Sequence, residues 1–189
     1  MKDAFIIQRG QKRFFEIPPE WNLLTFATVS DKQQVRDVKE LTKDALRNPI
    51  QASPLEESLS GSDMVVILVE DITRTSPKRI ILECILEVLN QTGIPKRNIS
   101  IIIALGTHRG LTSDELESTY GRDLVDQYEF SNHDCNADDL VTIGRLDTGG
   151  DIRINRKFHE ATFRIGIGSI VPHPMNGFGG GGKILFPGV

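Results

Sequence analysis

Cysteine is nearly absent from this 189-residue chain, where Cys84 and Cys135 are the only two. They share no metal-type spacing and suggest no disulfide framework, so a thiolate metal site and a cross-linked secreted scaffold are both unexpected. Long apolar runs are lacking too. None approaches the roughly 18 residues that a spanning helix requires, and the N-terminus carries no apolar signal core. Positive charge is not in excess: 22 Lys and Arg stand against 26 Asp and Glu, a net charge of −4. That balance leaves no electrostatic footprint for nucleic acid or an anionic membrane. The expectation is a cytoplasmic protein with neither a nucleic-acid nor a membrane partner. What is present is ordinary for a globular chain, with 39% hydrophobic and 25% charged residues and enough length for a real core.

Taken in order, Ala4 to Gln8 and Lys12 to Ile17 flank Arg9-Gly10-Gln11 and predict an opening β-hairpin, which Pro18-Pro19 ends. Leu23 to Val29 reads as a further strand or an extended connector. Val35, Val38, Leu41, Ala45 and Leu46 are spaced for a helix over 33–47, with Asp31 as its cap and Asn48-Pro49 as its stop. Pro54 to Leu59 predicts a short helix. Met64 to Val69 is a continuous β-branched and apolar run, as expected of a parallel strand buried on both faces. A helix from Pro77 to about Gln91 follows, with Cys84 on its apolar side. The unit then repeats: Ile99 to Leu105 as strand, Gly106 to Gly110 as turn, and Thr112-Ser-Asp-Glu115 as a capped helix start. Val141 to Leu146 and Ile152 to Ile154 flank Gly149-Gly150 as a second hairpin. Phe158 to Ala161 ends a short helix before a buried-strand run over Phe163 to Val171. Alternating strands and helices imply an α/β, Rossmann-like domain with a mostly parallel sheet flanked by helices.

In such sheets ligands bind beyond the carboxyl ends of the strands. The polar clusters of this chain follow its strands: Asp71/Thr73/Arg74, Thr107/His108/Arg109, Asn132/His133/Asp134 and His173/Lys183. Four strand ends bearing His, Asp, Arg and Lys are therefore expected to converge on one crevice. Thr73 or Ser76 is suited to cap the helix at Pro77. In a functional reading, the same helix start and Arg74 face a phosphate or carboxylate. His108 and His173 are candidate acid/base groups, and His133 is either a third or part of an ordinary turn. His159 falls within a helix and is expected to be inert. A zinc site on His108, His133 and His173 has no recognised local spacing behind it.

The closing segment is the densest. After Pro172-His173-Pro174, the run Gly177-Phe-Gly-Gly-Gly-Gly-Lys183 suggests backbone approaching a ligand closely, or a need for positive φ. It matches most of a P-loop, but Ile184 stands where the magnesium-binding Ser or Thr belongs, and Ile184 to Pro187 reads as extended rather than helical. Lys183 is either an anion binder or an amine nucleophile and attachment point.

Asp71-Ile-Thr-Arg74, Gly106-Thr-His-Arg109, Asn132-His-Asp134 and His173-Pro, followed by Gly-Gly-Lys183-Ile-Leu-Phe-Pro-Gly188, resemble the N-terminal domain of the nickel-dependent lactate racemase family. The likeness covers essentially the whole chain, 1–189, with the motifs in the same order. The resemblance implies a nickel-pincer nucleotide, a pyridinium mononucleotide holding nickel through two sulfurs and a ring carbon, attached covalently at Lys183. It implies His108 and His173 as the alternating acid and base on a 2-hydroxy acid substrate. Asp71, Thr73 and Arg74 are implied as cofactor-binding residues, with Arg74 the natural partner of a phosphate or carboxylate. Hydride would leave the substrate carbon and return on the other face. Two proton carriers on different loops, a backbone cradle and a lysine with room around it are what such chemistry needs.

Two departures limit what this chain is expected to do. Family members are about twice as long, and the histidine that ligates nickel follows the tethered lysine by more residues than remain here. No histidine follows Lys183. The C-terminal domain, with its substrate-binding Lys and Gln, is absent, so a truncated chain without racemase activity of its own is expected. The alternatives are a non-catalytic α/β module that binds phosphate or a mononucleotide, and a hydrolase with a histidine-bound metal.

Overall fold

Ala4–Gln8 (β1) and Gln11–Phe15 (β2) pair antiparallel, with Phe5 opposite Phe14 and Gln8 opposite Gln11, as the opening residues predict. The computed structural model describes residues 4–8, 11–24, 37–173 and 175–189, and it divides into two units, Met1–Val35 and Arg36–Val189. In the first unit the Phe5 and Phe14 rings meet edge to face at 5.7 Å, a cross-strand aromatic pair of the kind that pins a hairpin register. The connector expected over Leu23 to Val29 is irregular at residues 23–24, and its remainder lies outside the described residues.

The second unit opens with α1 (Val38–Arg47). Its cap is Asp37, whose carboxylate accepts from the Lys39 amide at 2.8 Å, and not Asp31. Asp31 and the predicted first helical residues 33–36 lie outside the described residues. A 3₁₀ turn at Leu55–Ser58 leads to β3 (Val65–Glu70), followed by α2 (Lys78–Gln91) and β4 (Ile99–Ala104). Then come α3 (Ser113–Tyr120), α4 (Arg122–Val125) and β5 (Glu129–Asn132). β6 (Val141–Arg145) and β7 (Asp151–Ile154) form the predicted second hairpin, followed by α5 (Arg156–Glu160) and β8 (Phe163–Ile167).

Four strands form one parallel sheet in the order β5-β4-β3-β8, with Ile67 level with Ile101 on one side and Ile165 on the other. Successive side chains of a strand face opposite ways. Val65, Ile67 and Val69 accordingly pack under Leu82, Ile85, Leu86 and Leu89 of α2, while Val66 and Leu68 join Ile102, Ile154, Phe158 and Val189 on the other face. This two-sided burial is why β3 and β4 are apolar over Val65 to Val69 and Ile101 to Ala104 without alternation. Cys84 is buried in α2, as its helical phase predicts.

The run from Phe163 is shorter and less buried than expected. β8 ends at Ile167 and is a sheet edge, so only Ile167 of its residues is buried. Residues from Gly168 onward leave the sheet to build the site. α3 has the predicted capping box: Thr112 Oγ1 accepts from the Glu115 amide at 3.2 Å, and the Glu115 carboxylate accepts from the Thr112 amide at 2.9 Å. Thr112→Ala is expected to cost about 1 kcal/mol, read as a lower urea midpoint at unchanged slope. No described helix is long and apolar enough to cross a membrane.

Candidate active site

Beyond the carboxyl ends of β3, β4 and β8 lies a cavity of about 500 Å³ lined in part by Asp71, Arg74, His108, His173 and Lys183. Five of the six residues predicted for the site thus share one crevice at the sheet edge where the topology places ligands. The sixth, Thr73, acts through Asp71: its amide donates to Asp71 Oδ1 at 2.8 Å and its hydroxyl to the same oxygen at 2.5 Å.

The turn after β3 organises the first wall. Asp71 Oδ2 lies 2.5 Å from His108 Nδ1, with Asp71 buried (8% side-chain exposure) and His108 open to solvent (57%). Burial alone raises the Asp71 pKa, but the hydrogen bonds from His108 and Thr73 outweigh it and hold the carboxyl below its usual range. An ionised Asp71 is an acceptor, so His108 Nδ1 carries the proton and Nε2 of the neutral ring keeps a lone pair. Gly106, with φ +57°, lets the loop leave β4 sharply; a Cβ there would sit 3.1 Å from the Pro187 carbonyl oxygen.

The expected side-chain cap at Thr73 or Ser76 is not formed. Pro77 occupies the N-cap of α2 without a side-chain hydrogen bond, because Thr73 is engaged by Asp71 and the Ser76 hydroxyl donates to Glu70. Lys78 takes over the turn instead. Buried in the first turn of α2, its Nζ donates to the Asp71 carbonyl at 2.5 Å and the Arg74 carbonyl at 2.8 Å. Desolvation pulls the Lys78 pKa down, against the opposing pull of Glu70 and Asp71.

The second wall comes from the closing segment. Pro172–His173 (β9) pairs with Gly177–Phe178 (β10), and the Met175 and Asn176 amides each point to His173 Nδ1 at 3.3 Å. Each histidine thus has Nδ1 engaged, by a carboxylate at His108 and by backbone amides at His173, and Nε2 without a hydrogen-bond partner among the described residues. Lys183 lies in a 3₁₀ turn, Gly181–Ile184, so the predicted extended course of Ile184 to Pro187 is wrong. Ile184 and Leu185 are drawn onto the apolar face of the sheet, and the Phe186 amide closes back to the Gly182 carbonyl at 2.9 Å. Gly188 accepts from the Gly106 amide at 2.9 Å, which joins the lysine segment to the His108 loop.

The third cluster does not reach the cavity. Asn132 is engaged by the Leu111 amide and carbonyl at 3.0 and 2.9 Å, and His133 is buried, with desolvation lowering its pKa. Arg109 turns outward to Glu115 at 2.6 Å. Zinc on three histidines is also unsupported, since no group of three or more His, Cys, Asp or Glu is placed for a metal among the described residues. His159 is exposed on α5, and its carbonyl accepts from Arg164. Sequence reading missed Glu70, Lys78 and Ser169. The one available signal was a glutamate and a lysine flanking an Asp-x-Thr-Arg turn.

Residues 9–189 match the family described as the lactate racemase N-terminal domain. The chain belongs to that family. It is 37% identical to a lactate racemase of Thermoanaerobacterium thermosaccharolyticum over 152 residues, covering 80% of this chain and 35% of that protein. It is 38% identical to a lactate racemase of Lactiplantibacillus plantarum, covering 80% of this chain and 36% of that one. The fold superposes on the T. thermosaccharolyticum lactate racemase apoprotein with a TM-score of 0.80 at 33% identity, covering 99% of this chain and 43% of that structure. A crystal structure of a Thermotoga maritima protein matches with a TM-score of 0.64 at 27% identity over 80% of this chain and 38% of its own. The chain is thus a lactate-racemase-like protein that spans less than half the length of these relatives.

Proposed function

We propose that this chain is the cofactor-binding and catalytic N-terminal domain of a racemase that inverts a 2-hydroxy acid such as lactate, using a nickel-pincer nucleotide tethered at Lys183. The observation that carries this reading is the pair of histidines on two walls of one cavity, each with Nδ1 engaged and Nε2 unpartnered, beside a lysine amine with no hydrogen-bond or ion-pair partner among the described residues.

The residues present fit the tether and the nucleotide. Lys183 offers an uncommitted amine, and the Arg74 guanidinium, also without a hydrogen-bond or ion-pair partner among the described residues, suits a phosphate or the substrate carboxylate. Gly179 and Gly180 present bare backbone to the cavity between the side chains of that wall. No group of three or more His, Cys, Asp or Glu is placed for a metal among the described residues, so nickel ligation from a C-terminal domain is part of the proposal. When bound, the group supplies an acceptor for hydride from the substrate carbinol carbon.

The proton chemistry belongs to this chain. Nε2 of His108 takes the hydroxyl proton, and Asp71 steadies the imidazolium that results. From the opposite wall a His173 ring in its charged form gives the second proton and is left neutral. In the reverse direction the two exchange roles, as interconversion of mirror-image substrates demands. The binding-module alternative keeps the anion contacts and leaves the two histidines without a task.

Intact mass and metal analysis after co-expression with enzymes that build the cofactor test the assignment. The expected result is one adduct per chain, mapped to Lys183 and lost in Lys183→Arg, which keeps the charge. An unmodified Lys183 would overturn it.

A further inference from the structure

We infer that Glu70 is a positioning residue for the His173–Lys183 wall, in the way that Asp71 is for His108. The two carboxylates are consecutive at the end of β3, which lies between β4 and β8 in the sheet. Asp71 reaches the loop after β4, where it meets His108. Glu70 reaches the loop after β8: Oε2 accepts from the Ser169 amide at 2.8 Å and Oε1 from the Ser169 hydroxyl at 2.7 Å. The Ser76 hydroxyl also donates to Oε1. Burial raises the Glu70 pKa, but these bonds and the nearby Lys78 charge prevail and keep it below its usual range.

Ser169 is the seat of the glycine tract. Gly180 lies so close to it that a Cβ would fall 2.7 Å from the Ser169 carbonyl oxygen, and Gly180 has φ +72°. The Gly179 amide donates to the Val171 carbonyl at 2.7 Å, and the Lys183 amide to the Gly180 carbonyl at 3.0 Å. A continuous series of contacts therefore runs from Glu70 through Ser169 and Gly180 to Lys183. His173 stands on the same segment, between Ser169 and the tract. One strand end sets both halves of the site, one carboxylate to each.

The importance of this wall rests on the proposed roles of His173 and Lys183, but its placement is measurable without the cofactor, so failure of the one is distinguishable from failure of the other. In the 189-residue chain, Glu70→Gln is expected to speed amide exchange over residues 169–183 about tenfold. It should also change the rate of Lys183 acylation, read by peptide mass, and disturb the His173 tautomer seen in imidazole ¹⁵N shifts, while the His108 signature stays as in the parent. Asp71→Asn should do the reverse. A general loss of stability would move both walls together. Ser169→Ala, which removes only the hydroxyl contact, should give the same selective pattern at smaller amplitude and serves if Glu70→Gln does not fold. Parent-like exchange and labelling in these variants, or equal disturbance of both histidines, would overturn the inference.

Discussion

Asp71→Asn is expected to lower turnover of the cofactor-loaded enzyme by about 10²- to 10⁴-fold while leaving the fold in place. The carboxylate is nearly isosteric with the amide, so the packing of the turn survives. What changes is the proton pattern. Asp71 accepts from Thr73 through Oδ1 and from His108 Nδ1 through Oδ2. If an asparagine keeps its carbonyl toward the two Thr73 donors, its NH₂ faces His108 Nδ1. The imidazole must then move its proton to Nε2, the nitrogen proposed to accept the substrate's proton. The loss of negative charge also removes the partner that steadies the imidazolium. Rate measurements in both directions, with ¹⁵N shifts of the His108 ring, check this. The parent should carry its proton on Nδ1 and the variant on Nε2. A variant with parent-like turnover would remove His108 from the proton chemistry.

Ile101→Ala should produce the largest loss of stability, about 2–5 kcal/mol, with a fall in melting temperature of roughly 10 °C. Ile101 is fully buried on β4, between Ile67 of β3 and Phe130 of β5, on the face covered by α2. Truncation removes apolar contact and leaves a hole that two hydrogen-bonded neighbours cannot close, because strand spacing is set by the backbone ladder. Thermal and denaturant unfolding measure it. The same truncation at Ile143, half-exposed on the separate β6–β7 hairpin, should shift the midpoint very little.

The elements most legible from sequence were those whose physics is local. The runs ending in Val69 and Ala104 are apolar without alternation because each strand is covered on both faces, and that signal is in composition alone. The Thr112–Glu115 box works because its two reciprocal hydrogen bonds span only three positions. Errors arose where distant groups competed for the same atoms. Ser76 is a good cap by type, but Glu70 takes its hydroxyl. Ile184 to Pro187 reads as extended by residue type, yet packing of Ile184 and Leu185 on the sheet face curls it into turns. Asn132 and His133 stand at the end of a strand as the other site residues do, but β5 lies at the far edge of the sheet from β8, and the crevice does not extend to it.

By itself, the sequence determined the α/β class, the family resemblance, and five of the groups that line the cavity, because strand periodicity and short ordered motifs are properties of neighbouring residues. The tertiary structure alone decided which of those groups meet. Only folding brings Asp71 to His108 across 37 positions and Glu70 to Ser169 across 99. The partner of His108 Nδ1 follows from that long-range meeting, whereas His173 Nδ1 is met by amides only two and three positions on.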